Sequence, residues 1–103
     1  MAQYIYTLKP VRPEMLADGL KPDEEKVIGA HFAYLSDLKD QGVVKLAGRT
    51  TNTDKSSFGL VIFAAKNEEA ARQIMASDPA VGEGVLAAQL FPFRISLMGD
   101  ATD

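Results

Sequence analysis

The chain has 103 residues, 47% of them hydrophobic and 24% charged, which fits one globular domain of ordinary composition. Its net charge is −3 and its pI about 5.1, and its basic residues never form a run, so nothing points to nucleic acid. The absence of cysteine excludes disulfides, thiolate catalysis and cysteine-ligated metal, and fits a cytoplasmic protein.

The start, Met1-Ala2-Gln3-Tyr4, lacks a basic region and a long apolar stretch, so no signal peptide is expected. No apolar run approaches the ~20 residues of a membrane span. Residues 3–9, rich in Tyr, Ile and Thr, predict a first strand that Pro10 ends. Residues 11–22 carry Pro13, Gly19 and Pro22 and predict a long loop of the kind that covers binding sites.

Pro22-Asp23-Glu24-Glu25 opens a helix, with acidic residues at the positive end of its dipole, and Gly42 stops it. Residues 43–47 predict a second strand, 49–57 a polar turn and 58–66 a third strand. Asn67 is an N-cap for a second helix reaching Ser77, where Asp78-Pro79 breaks it. Residues 80–84 fit one short turn, 86–98 a long last strand and 99–103 a tail.

This β-α-β-β-α-β order predicts an α+β, ferredoxin-like split βαβ sheet of strand order 4-1-3-2. Strand four then lies at an edge, where Pro92 is tolerated. Both helices cover one face, so the other face should be polar if it meets water. Strand three contradicts that, with Phe58, Leu60, Ile62 and Ala64 on one side and Val61, Phe63 and Ala65 on the other. Phe91, Phe93, Ile95 and Leu97 add a second apolar row. An open apolar face of this extent predicts a homodimer packed sheet to sheet. The competing arrangement is a monomer in which the 11–22 loop folds over that face.

His31 is the only histidine. Helical spacing puts it on one face with Val27, Leu35 and Leu38, so it looks inward, where a hydrogen-bonded core role competes with a catalytic one. Antiparallel helices place the end of the second beside the start of the first, which brings Asp78 toward His31. A carboxylate on one ring nitrogen fixes the tautomer and leaves the other nitrogen to move a proton. Asp78 read alone is only an Asp-Pro turn.

His31, Tyr34-Leu35, Gly42, Ala47-Gly48, Gly59, Ala70-Ala71, Ser77-Asp78-Pro79 and Gly84, in that order, resemble the YCII-related (YciI-like) domain over about residues 3–97. The resemblance implies a dimeric α+β barrel and a His-Asp active pair, which maps onto His31 and Asp78. It also implies small-molecule chemistry, which in some members is lyase action on ring compounds, including dehydrochlorination. Two positions depart from the family. Ala80 replaces an aromatic and is expected to enlarge the pocket. Arg49 replaces a proline and is expected to bring positive charge to its mouth.

The remaining candidates are weaker. Arg94 suits a substrate carboxylate but equally an exposed edge strand. Arg12 is in position to close over a ligand, or simply to be solvated. Tyr4 and Tyr6 combine an apolar body with a hydroxyl and are cleft-lining or packing residues. Ser77 is placed to hydrogen-bond locally. A zinc site is not expected with one histidine and no cysteine, and there is no phosphate-binding glycine loop.

The expected function is acid–base catalysis by His31 and Asp78, of isomerase or lyase type, on a small cyclic or carbonyl compound. Such chemistry calls for no cofactor. The alternative is a non-catalytic metabolite-binding or accessory domain in which the pair is structural.

Overall fold

In the computed structural model, residues 1–99 are described. The elements are β1 (Ala2–Pro10), α1 (Met15–Asp18), α2 (Pro22–Asp40), β2 (Val44–Arg49), β3 (Gly59–Ala65), α3 (Glu68–Ser77), α4 (Pro79–Gly82) and β4 (Leu86–Phe93). The strands form one antiparallel sheet in the order β2-β3-β1-β4, the expected ferredoxin-like arrangement. Among the described residues no helix is long and apolar enough to cross a membrane.

One sheet face is the core. Tyr4, Tyr6 and Leu8 of β1 alternate inward and meet Val61, Phe63 and Ala65 of β3, and Leu35 of α2 and Ala71 of α3 close over them. Tyr6 and Phe63 pack edge to face with ring centroids 5.6 Å apart. The long helix α2 ends where Gly42 takes φ 79°, a left-handed conformation that glycine adopts without strain. There the Val43 N–H reaches back to the Leu38 carbonyl at 2.8 Å and the Gly42 N–H to the Lys39 carbonyl at 2.9 Å. This double closure sends the chain straight into β2.

A β-bulge at the start of β2 fixes which side its residues face. Val44 pairs with Phe63, but Leu46 pairs with Ile62, leaving Lys45 as the extra residue. Beyond the bulge Ala47 and Arg49 take the helical side with Val61 and Gly59, and Leu46 and Gly48 take the open side.

Three expectations are corrected. The last strand ends not at residue 98 but at Phe93, where its ladder with β1 stops at the Gln3–Phe93 pair. Ile95 instead donates its N–H to the side-chain oxygen of Gln3 at 2.8 Å. Arg94 and Leu97 therefore occupy no strand. Phe58 precedes β3 instead of extending its open face. The 11–22 loop contains the helical turn α1 and is tied to the start of α2, where Arg12 grips Glu24 through two nitrogens at 2.6 and 2.9 Å. It lies on the helical side, with Met15 and Leu16 lining the cleft described below. Arg12, still partly exposed, is thus committed to Glu24 and the Gly19 carbonyl.

The second face of the sheet is open. By register it presents Ile5, Leu60, Ile62 and Ala64, with Gln3 and the Thr7–Gln89 pair among its polar residues. Those four apolar residues are half-buried, whereas Phe91, Phe93 and Leu46 on the same face are exposed.

Candidate active site

Asp78 is the centre of the site. It ends α3 and caps the one-turn helix α4, because Pro79 cannot continue α3 and is favoured as a first helical residue. The Ala80 N–H donates to Oδ1 at 3.0 Å, and the Tyr6 hydroxyl, 72 residues away in sequence, donates to Oδ2 at 2.8 Å. The side chain is wholly buried (0% exposed), so those donors replace the water it has lost.

His31 completes the carboxylate's shell. Its Nδ1 lies 2.7 Å from Oδ1 and 2.8 Å from Oδ2. A carboxylate only accepts, so Nδ1 carries the proton and donates. In the neutral ring the lone pair is then on Nε2, which has no hydrogen-bond partner among the described residues. The imidazole is 14% exposed against a fully buried partner, so one edge is locked and the other reachable.

Two tyrosines surround the pair. Burial, then the nearby Asp78 charge, pushes the Tyr6 hydroxyl well above the usual tyrosine range, so it remains a donor. Burial and Asp78 also raise Tyr34, whose hydroxyl donates to the Ile74 carbonyl at 2.8 Å and ties α2 to α3.

His31 lines a cleft of about 760 Å³ between α2, the α1 loop and the β2–β3 edge. Its floor is apolar, from Leu8, Leu35 and Val61. Arg49, where this chain departs from the family's proline, lines it too, together with Lys39 and Lys45, which sequence reading overlooked. Their shared cleft depends on helical spacing from His31 and on the bulge.

The other predicted residues divide differently. Tyr6 does not line the cleft but holds Asp78 from behind. Tyr4 packs in the core, 6.1 Å between ring centroids from Phe63. It borders a separate shallow hollow with Arg94, so neither joins His31. Ser77 is exposed at the end of α3 and bonds neither member of the pair. Ala80 is fully buried and serves Asp78 through its N–H, so it does not enlarge this cleft. Glu24, overlooked as a partner, holds the loop over the cleft. Its carboxyl is lowered to about 2 by Arg12 first and then by the Lys21 N–H.

A solved structure with this fold is 5-chloro-2-hydroxyhydroquinone dehydrochlorinase (TftG) from Burkholderia phenoliruptrix AC1100, in complex with 2,5-dihydroxybenzoquinone. The two chains are 21% identical with a TM-score of 0.62, over 88% of this chain and 93% of that one. No curated protein matches the sequence significantly. The family model of the YCII-related domain matches residues 4–94, nearly the whole described chain, and the protein belongs to that family.

Proposed function

We propose that the protein is a small-molecule enzyme of isomerase or lyase type acting on a cyclic or carbonyl compound, with His31 as general acid–base and Asp78 as its positioning residue. The observation that carries this reading is the one-sided lock on His31. A buried carboxylate, itself held by Tyr6 and Ala80, binds Nδ1 and leaves Nε2 for the cleft. In the reaction, Nε2 takes a proton from a C–H of the bound compound, and Asp78 stabilises the imidazolium. The electron pair left behind shifts along the ring. The proton then returns at another carbon in an isomerisation, or a leaving group departs with its electrons in an elimination. The fold neighbour's dehydrochlorinase activity on a ring compound supports the lyase form.

We further propose a cytoplasmic homodimer that packs the open apolar faces together, leaving both clefts on the helical side. The test of catalysis is turnover of chlorinated and hydroxylated ring compounds by the wild type and His31→Ala. The variant should lose about 10²–10⁴-fold in kcat with its fold intact. Equal turnover would remove His31 from the chemistry.

A further inference from the structure

We infer that the cleft takes a small ring compound bearing an oxyanion, a carboxylate or a phenolate, and that Arg49 holds that group. The inference rests on the cleft being a substrate site and adds the charge of what enters it.

The first observation is the sign of the lining. The chain has 14 acidic residues against 11 Lys and Arg, yet among the described residues the charged cleft-lining side chains are Lys39, Lys45 and Arg49. His31 adds a fourth group that is cationic when protonated, and among the described residues no carboxylate lines the cleft. A one-signed cleft on a protein of opposite net charge concentrates the counter-ion of that cleft.

The second observation separates the three cations. Lys39 faces Asp40 at 3.3 Å, and Lys45 donates to the Gly42 carbonyl at 2.7 Å, so both are engaged near the α2–β2 turn. Arg49 has no ion pair or side-chain hydrogen bond among the described residues. It lies four residues, roughly 13 Å, along β2 from Lys45. His31 likewise lies about 12 Å back along α2 from Lys39. The two groups therefore share the end of the cleft away from that turn.

The third observation is how Arg49 comes to face inward. Unbulged pairing from Val44↔Phe63 would turn residue 49 to the open side of the sheet. The extra residue at Lys45 turns it to the helical side, opposite Gly59. Gly59 presents no side chain opposite Arg49; a Cβ there would lie 3.3 Å from the Gly48 carbonyl oxygen and 3.7 Å from the Cβ atoms of Arg49 and Leu8. Arg49 thus lines the same cleft as the apolar Leu8, Leu35 and Val61, a combination that suits a flat ring with one anionic edge and two-point hydrogen bonding.

The test measures binding of benzoate and 4-nitrophenolate, with benzamide as a neutral counterpart of benzoate, by NMR of the His31 ring protons at fixed ionic strength. At least one anion should shift those resonances and bind about tenfold more tightly than benzamide. Arg49→Gln, a substitution at an exposed position, should bring that anion to within about twofold of benzamide, while Lys39→Gln and Lys45→Gln retain the preference. The inference is overturned if neither anion outbinds benzamide, if the preference survives Arg49→Gln, or if binding leaves the His31 resonances unmoved. Because binding is read without turnover, equal turnover by the wild type and His31→Ala would remove the acid–base reading and leave this one standing.

Discussion

At Asp78 three donors from distant parts of the chain meet two oxygens: the Tyr6 hydroxyl, the Ala80 N–H and the His31 Nδ1–H. Because the carboxylate is fully buried, each donor matters more than an exposed one would. Tyr6→Phe removes one donor and keeps the ring that packs on Phe63. It should cost about 1–2 kcal/mol, read as a lowered urea midpoint with an unchanged slope. An unchanged midpoint would mean that the hydroxyl contributes nothing to holding Asp78. The sequence offered Tyr6 as a cleft-lining or packing residue, but not its polar partner. Alternation assigns a face and says nothing of what a hydroxyl meets there.

The elements around the site were largely legible, since each is signalled locally. Asn67 caps α3, Gly42 stops α2 and Asp78-Pro79 ends α3. The loop before α2 was not, because Arg12 and Glu24 find each other across a turn that no periodicity describes. Their pairing makes this region pH-dependent. The Glu24 carboxyl is lowered from 4.5 to about 2, so its contribution is complete above 4.5 and is lost as pH falls through 2. Thermal midpoints of wild type and Glu24→Gln should therefore differ by a constant amount above about pH 5 and converge toward pH 2. A gap that persists undiminished at pH 2 would assign the difference to packing instead of charge.

At the scale of the whole molecule, the open sheet face is the unsatisfied feature. Ile62 stands near its middle, paired with Ile5 on one side and Leu46 on the other, with the core untouched behind it. The proposed homodimer buries this row, and a charge in the row should prevent it. Sedimentation of the wild type should give about twice the 11.1 kDa chain mass, and Ile62→Asp should give the single-chain mass with an unchanged circular dichroism spectrum. A wild type that sediments as one chain would leave the face without a second copy.

The sequence by itself determined the order of elements, the split sheet that order implies, the two-sided apolar pattern of β3 and the inward face of His31. All of these follow from periods and stop signals a few residues long, which backbone geometry enforces wherever the segment lies. Only the tertiary structure decided the rest. β4 ends where its pairing with β1 stops at Gln3–Phe93, and Arg49 faces the cleft because one extra residue at Lys45 reverses the register. Tyr6 serves Asp78 from 72 residues away. Each of these depends on a neighbour brought in by the fold, and a local pattern carries no record of such a neighbour.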